Sequence, residues 1–288
     1  MSSKIEKDDI TGTDTTGHEW DGIKELNNPL PRWWLWSFYG TIVFALIYSL
    51  AYPAFPLINS STSGLLGWSS RADLASDVQA VASSRAALAS ELTQIELADA
   101  ATMPELMQFA LAGGESAFRV NCSQCHGSGA AGGGIYPNLV DDDWLWGGTV
   151  DDIYLTLLHG IRYTGDDDTR ISQMPAFGDI LQRDEIKDVA AYVASLSNPG
   201  VDPGAHESGM ALYIDNCSVC HGEAGEGMVE LGAPALNDAI WLYGGELTQI
   251  VAQISAPKMG VMPGWQDRLD DVTVRQLALY VHSLGGGQ

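Results

Sequence analysis

Two copies of one seven-residue motif constrain this chain more than any other feature of its sequence. NCSQCHG at 121–127 returns as NCSVCHG at 216–222, and the two copies together contain all four cysteines. Each copy has the spacing Cys-x-x-Cys-His, which presents two thiols and an imidazole close together. This arrangement is typical of a redox dithiol, a metal site or a covalently attached haem.

The repetition extends well beyond the cysteines. In chain order, LVDDDWLWGG at 139–148 corresponds to LNDAIWLYGG at 236–245, QMPAFGDIL at 173–181 to VMPGWQDRL at 261–269, and VAAYVASLS at 189–197 to QLALYVHSL at 276–284. The offset between matched residues is 97 at Trp144 and Trp241 and 88 at Met174 and Met262. A fixed order with small insertions predicts a duplicated domain.

Covalent haem attachment accounts for the motif. Cys-x-x-Cys-His is the attachment signature of c-type haem, in which two thiols bind the vinyl groups and the histidine lies under the ring. A sixth iron ligand must arrive from the opposite face, and the Met-Pro sequence late in each copy supplies a thioether. We therefore predict two haem c per chain, attached through Cys122, Cys125, Cys217 and Cys220, with His126, Met174, His221 and Met262 as axial ligands.

Two other uses of the motif fit the sequence poorly. A disulfide or redox dithiol is typical of a βαβ context, which neither copy has. A zinc site needs two further Cys or His ligands at short spacing. After His126 the next histidine is His159, and the first copy has no third cysteine.

Two residues leave the axial ligands open to alternatives. His159 could replace Met174 as an iron ligand, but only Met174 has a counterpart in the second copy. Met259 lies three residues before Met262, and the Met-Pro match favours Met262. Two arginines of the first copy are candidates for a contact with a haem propionate: Arg162 and Arg170.

The sequence does not settle which methionine serves which haem. The simplest assumption is local pairing, His126 with Met174 and His221 with Met262. An exchange between two closely packed lobes would leave the same sequence.

An uncharged stretch near the N-terminus predicts a membrane anchor. Residues 33–52, WWLWSFYGTIVFALIYSLAY, contain no charge, and 20 helical residues span about 30 Å, the thickness of the hydrocarbon core. Tryptophans at its start and tyrosines at its end suit the two interfaces. A long preceding segment rich in charge and the absence of a small-residue cleavage site argue against a signal peptide.

Charge near the anchor predicts its orientation. The positive-inside rule counts basic residues close to the span, and those before it are Lys4, Lys7, Lys24 and Arg32. The first base after the span is Arg71. We therefore expect the N-terminus to be cytoplasmic and both haem domains to lie outside the cytoplasm.

These features predict an all-α chain in which one N-terminal transmembrane helix precedes two tandem helical domains. The predicted segments are 1–32 (cytoplasmic), 33–52 (transmembrane), 53–103 (loop and helical linker), 104–198 (first haem domain) and 204–288 (second haem domain). Apolar spacing over 71–111 predicts two helices broken near Pro104. SNPGVDPGA at 197–205 predicts a Pro/Gly linker between the domains.

The strongly acidic composition limits the class of partner. A net charge of −23 argues against nucleic acid, whose phosphates this surface would repel. It favours a basic partner instead.

Each copy resembles the class I cytochrome c fold, on the order of its attachment motif, Met-Pro loop and closing helix. By that resemblance, the prolines of YPNL and APAL are implied to offer their carbonyl oxygens to the N–H groups of the two attachment-motif histidines. These prolines are Pro137 and Pro234. Such a bond fixes the imidazole ring and strengthens it as a ligand.

The whole chain resembles the dihaem subunit III of cbb3-type cytochrome c oxidase. The resemblance rests on WDGIKELNNPLPRWWLWSFYGTIVFALIY at 20–48, AYPAFP at 51–56 and HGIR…DTRISQMPAFG within 159–178. It implies a conduit that passes electrons from a reduced soluble or membrane-bound cytochrome c towards a catalytic haem–copper subunit, alongside a monohaem c subunit. The alternative is a free-standing, membrane-anchored dihaem carrier between quinol oxidation and other acceptors.

Overall fold

The computed structural model describes residues 4–198, 200 and 203–286, and the fold there is mainly helical as predicted. The helices are α1 (Arg32–Ala51), α2 (Ser70–Gln94), α3 (Leu97–Ala100), α4 (Pro104–Asn121), α5 (Ser123–His126), α6 (Val150–His159), α7 (Arg183–Leu196), α8 (Glu207–Asn216), α9 (Ser218–His221), α10 (Leu247–Ser255) and α11 (Asp271–His282). Short 3₁₀ turns occur at Phe177–Asp179, Pro203–His206 and Val229–Leu231. Three positions of the predicted 197–205 linker (199, 201 and 202) lie outside the described residues.

The chain divides at Ser84 into two compact units. The first contains a β-hairpin that the sequence analysis missed, formed by β1 (Thr15–Trp20) and β2 (Ile23–Leu26). Its turn residues Asp21 and Gly22 have φ values of 49° and 85°. Asp-Gly between two short extended segments is a strong hairpin signal because both central residues of this turn need positive φ.

Helix α1 coincides with the predicted anchor. Its 20 residues include no buried side chain, and its mean hydropathy of 1.5 makes it a candidate membrane span. A core helix of a soluble domain would be buried, so the exposure fits an anchor better. Aromatic rings stack along it, with Trp34 and Phe38 centroids 5.5 Å apart and those of Tyr48 and Tyr52 4.7 Å apart.

The segment between the anchor and the haem motifs is helical with two breaks. Helix α2 ends at Gln94, and Pro104 occupies the first turn of α4, where its missing N–H costs nothing. The guanidinium of Arg275 donates to the carbonyls of Leu92 and Ile95, at 3.4 and 3.2 Å, and so joins the end of α2 to α11. The predicted break near Pro104 is confirmed, and a further break lies near Ile95.

The second unit contains two hydrophobic cores, and we name the packed elements around each a lobe. The first lobe consists of α3, α4, α6 and α11 with the end of α2. Here Gly114 of α4 lies against the backbone of Gln276 and the side chain of Tyr280, so that the two helices cross closely. The rings of Phe118 and Tyr280 are 5.6 Å apart at this crossing.

The second lobe consists of α7, α8 and α10. Gly209 of α8 lies against the carbonyl of Asp188 and the side chain of Tyr192. The rings of Tyr192 and Tyr213 are 5.2 Å apart. The helix crossing has the same form in both lobes, because a glycine of one helix contacts a tyrosine of the helix that crosses it.

The two lobes do not coincide with the two sequence copies. Each lobe takes its attachment motif and following helix from one copy, and its Met-Pro loop and closing helix from the other. Along the chain, the second lobe is one continuous segment inserted between α6 and α11. The copies have therefore exchanged their C-terminal parts, which the assumption of local pairing did not anticipate.

Candidate haem centres

The first attachment motif forms a tight turn at the end of α4. Cys122 lies between α4 and α5 and caps both, and its carbonyl accepts the N–H groups of Cys125 and His126 at 3.1 and 3.0 Å. Gly127 then closes the turn with a φ of 79°, in the left-handed region that favours glycine. The backbone thus holds both thiols and the imidazole on one short turn.

The second motif repeats this geometry closely. The carbonyl of Cys217 accepts the N–H groups of Cys220 and His221 at 3.1 and 3.0 Å. Gly222 again has a φ of 79°. Two copies of the motif therefore adopt one local structure, although they lie in different lobes.

Each motif histidine is oriented by a proline carbonyl. The Nδ1–H of His126 donates to the oxygen of Pro137 at 3.1 Å, and that of His221 to the oxygen of Pro234 at 2.9 Å. These contacts confirm the implied histidine–proline pairs. Because a carbonyl only accepts, Nδ1 carries the proton and Nε2 keeps its lone pair for a metal.

Burial keeps both histidines neutral. It lowers the pKa of His126 and of His221 below the usual value, and the hydrogen bonds to Pro137 and Pro234 oppose the shift only in part. A neutral imidazole is the form that binds iron.

The thiols suit covalent attachment. All four cysteines are free, and in each motif the first is buried while the second is more exposed. Burial raises the pKa of Cys122 and of Cys217 to about 11, so neither is a reactive thiolate of the kind that redox dithiols use. Two thiols, an oriented imidazole and a thioether in the same lobe fit a haem c.

Met262 lies in the lobe of the first motif. Its backbone pairs with Ile161, with N–H···O distances of 3.0 and 2.9 Å, and its side chain packs against the core that contains Cys122. The N–H of Trp265 donates to the carbonyl of Leu157 at 2.9 Å, which fastens the Met-Pro loop to α6. The structure thus places Met262 in the lobe of the first motif, and not in that of the second as local pairing assumed.

Met174 correspondingly lies in the lobe of the second motif. Its side chain packs against the core that contains Cys217. It lines a surface cleft together with Pro257 and Met259. Met259 is therefore a neighbour of Met174, so the sequence alternative of Met259 in place of Met262 is not supported by this placement.

His159 and Arg170 each have partners within the protein. His159 lies at the end of α6 in the first lobe, not beside Met174, and its Nδ1 contacts Asp166 at 3.1 Å. Arg170 donates to the carbonyl of Trp146 and, at 3.2 Å, to Asp152. These partners leave no reason to assign His159 to iron or Arg170 to a propionate.

Trp146 is a central residue that the sequence analysis passed over. Its ring is buried and lies against Gly232, which precedes the proline segment of the second motif. The guanidinium carbons of Arg162 and Arg170 lie 6.0 and 5.9 Å from its ring centroid. The counterpart of Trp146 in the second copy is Tyr243, which is only half-buried. Because both residues are aromatic, the sequence match does not reveal this difference in burial.

Profiles of two protein families match this chain. The profile of the N-terminal domain of cytochrome oxidase-cbb3, FixP, matches residues 12–59. The profile of cytochrome c oxidase, cbb3-type, subunit III, matches residues 109–193 and 204–281.

Curated relatives match over almost the whole chain. The cbb3-type cytochrome c oxidase subunit FixPc of Rhizobium leguminosarum bv. viciae is 52% identical over 280 residues, covering 97% of this chain and 98% of the relative. The cbb3-type cytochrome c oxidase subunit CcoP of Cereibacter sphaeroides is 49% identical over 290 residues, covering 100% of each. The likeness includes the N-terminal segment as well as both haem motifs.

Proposed function

Because this chain belongs to the family of subunit III of the cbb3-type cytochrome c oxidases, we propose that it carries two haem c groups, one on each Cys-x-x-Cys-His turn. As a member of that family it is an electron-transfer subunit of an oxidase complex. The observation that supports two haems is the pair of matching turns, each with its histidine bonded to a proline carbonyl. When bound, each haem supplies a one-electron redox centre.

The mass of the mature protein tests the haem count. The sequence mass is 30.8 kDa, and we expect the purified native chain to exceed it by two haem additions. Cys217→Ser combined with Cys220→Ser should remove one addition and leave the other. An intact mass with one haem or none in the unmodified chain would refute the proposal.

The proposed axial pairs are His126 with Met262 in the first lobe and His221 with Met174 in the second. The packing of each methionine against the core of that lobe supports these pairs. In this arrangement the protein's own contribution would be to orient the imidazole, to limit access of water to the haem iron and to supply a thioether as the second protein ligand. Histidine–methionine ligation raises the haem potential, which suits an electron conduit.

The proposed setting is the bacterial inner membrane, with α1 as a single span. The four basic residues before the span support a cytoplasmic N-terminus, because the segment after the anchor has no base before Arg71. The haem lobes are then in the periplasm. The proposed partners are a catalytic haem–copper subunit and a monohaem c subunit.

An acidic face beside the first motif suits docking of a basic electron donor. We name Asp141, Asp142, Asp143 and Asp238 the acidic face. Burial raises the pKa of Asp143 to about 6, and the charges of Asp238 and Asp141, one from each copy, add to the shift. Asp141 and Asp143 line one surface cleft with Pro137, whose carbonyl orients the first haem-motif histidine.

The net charge of the chain after the span adds to this argument. Residues 53–288 hold 30 acids and 10 bases, which are the totals of 37 and 14 less the 7 and 4 that precede the span. Opposite charge raises association rates more than it tightens binding, as short encounters between electron carriers require. The proposed donor is therefore a basic cytochrome c that docks on the acidic face and reduces the first-lobe haem.

Salt dependence tests the docking proposal. We expect the second-order rate of haem reduction by a basic cytochrome c to fall steeply between about 0.01 M and about 0.15 M salt, as the Debye length falls from about 30 Å to about 8 Å. Asp142→Asn should lower the low-salt rate. Asp77→Asn, the same change on exposed α2, is the matched control and should not. A rate independent of salt would mean that the charge serves solubility only.

A further inference from the structure

One arginine side chain is bonded to both methionine loops. The Nε–H of Arg162 donates to the carbonyl of Gly260 at 2.8 Å, and Nη1–H donates to the carbonyl of Ser172 at 3.0 Å. Gly260 lies two residues before Met262, and Ser172 lies two residues before Met174. A single guanidinium thus joins the loops that present the two thioethers.

The two accepting carbonyls are counterparts in the duplication. Gly260 and Ser172 are separated by the same 88 positions that separate Met262 and Met174. Arg162 is therefore placed between equivalent points of the two copies. Met259 occupies the position that matches Arg162 at the 97-residue offset, so the duplication provides this cation only once.

The backbone of Arg162 adopts an unfavourable conformation to hold its side chain in this place. Arg162 has a φ of 52°, in the left-handed region that a residue with a side chain rarely adopts. Its N–H bonds to the carbonyl of Arg170 at 2.9 Å, and its guanidinium lies 6.0 Å from the ring centroid of Trp146. Burial lowers the pKa of Arg162, yet an arginine remains charged at neutral pH. A partly buried cation therefore lies between the two loops.

A fixed cation in this place has two physical consequences. Its forked donors set the separation of the two loops, and charge-assisted hydrogen bonds are stronger than neutral ones. Its charge also favours the addition of an electron at a nearby centre, because the electron is attracted to the cation. Both consequences act on the two lobes together.

We propose that Arg162 is a positioning residue shared by both haem centres, which holds the Met174 and Met262 loops in register and raises both reduction potentials. The inference rests on the proposed methionine ligands. It adds that the two ligand loops are coupled through one side chain, so that a single substitution alters both centres.

Arg170 provides a matched control. It is the other arginine against the ring of Trp146, at 5.9 Å, and it is partly buried like Arg162. Its side-chain bonds go to Trp146 and Asp152, which belong to the first copy, and to neither methionine loop. Removing the charge of Arg170 therefore tests general electrostatics and packing, while the hydrogen bonds of Arg162 to the two methionine loops stay intact.

The experiment compares Arg162→Gln, Arg162→Lys and Arg170→Gln in the full chain with both haems attached. For Arg162→Gln we expect both haems to be harder to reduce, with each equilibrium constant for reduction lowered about threefold or more, as loss of a charge-assisted bond implies. The methionine-to-iron charge-transfer band of both haems should weaken. Arg162→Lys keeps the charge without the fork and should restore the potentials in part, while Arg170→Gln should leave the band unchanged.

Several results would overturn the proposal. A change at one haem only, or at neither, would show that Arg162 does not couple the loops. If Arg170→Gln weakened the methionine band as much as Arg162→Gln, the cause would be general packing around Trp146 and not the bonds of Arg162 to the loops. If Arg162→Gln does not accumulate with two haems attached, the two reduction potentials and the methionine band are judged by the same criteria in Arg162→Lys. Absence of the methionine band in the unmodified protein would instead refute the ligand set itself.

Discussion

Replacing Met262 by histidine is expected to lower the potential of the haem on Cys122 and Cys125, which belongs to the other sequence copy. A nitrogen ligand stabilises the oxidised iron relative to a thioether, and axial ligands set haem potentials over a range of about 0.8 V. The shift should therefore be far larger than the error of a redox titration. Met174→His should act in the same way on the haem of the second motif.

Single-haem proteins make this prediction decisive. With Cys217→Ser and Cys220→Ser, only the first haem remains, and Met262→His should shift its potential while Met174→His leaves it nearly unchanged. Met259→Leu is the control for altered packing around the methionine loops, since Met259 lines the cleft beside Met174. A shift caused by Met174→His in this background would restore local pairing and refute the exchange.

Local sequence predicts the attachment turns well because they depend on few neighbours. Gly127 and Gly222 supply the positive φ that ends each turn, and the prolines that accept from the histidines lie within the same loop. The hairpin at Asp21, which the sequence analysis missed, depends on an equally local signal, the Asp-Gly pair in its turn. Signals of this kind are complete within a short segment, the longest here being the 13 residues from His221 to Pro234.

The exchange of C-terminal parts could not be predicted because both pairings satisfy the same pattern. Tyr192 and Tyr280 are counterparts, as are the glycines Gly114 and Gly209 on the attachment helices. Either tyrosine therefore suits either glycine. The short connection from α7 to α8 favours their mutual contact, since consecutive elements usually pack together and short loops close at low entropic cost. That contact leaves α4 to pair with α11.

The position of Arg162 was beyond sequence reasoning for the same reason. Its two acceptors are backbone carbonyls, which have no sequence signature, and one of them lies 98 positions away. A propionate contact was only one of the roles that the sequence left open for Arg162. Only the exchanged packing brings Gly260 and Ser172 to the same guanidinium.

Gly114→Ala and Gly209→Ala are expected to destabilise the protein although alanine is the better helix former. In an exposed helix this change stabilises by about 1 kcal/mol. At Gly114 a Cβ would overlap the carbonyl oxygen of Gln276 and the Cβ of Tyr280, and at Gly209 it would overlap the carbonyl of Asp188. Backbone atoms cannot turn aside, so the crossing helices must separate, and overpacking of this kind costs about 1–3 kcal/mol.

Gly113→Ala is the matched control on the same helix. The three atoms nearest to a Cβ there all belong to the amide end of the Gln276 side chain, which can rotate away at the cost of its 3.3 Å bond to the carbonyl of Phe109. We expect thermal unfolding of the two-haem protein to show a clear loss for Gly114→Ala and a much smaller one for Gly113→Ala. Because α11 comes from the far end of the chain, Gly114→Ala should also weaken the methionine band of the first-lobe haem and spare the second. Equal stability of all three variants would mean that α4 does not cross α11 at Gly114, and the exchanged fold would be wrong.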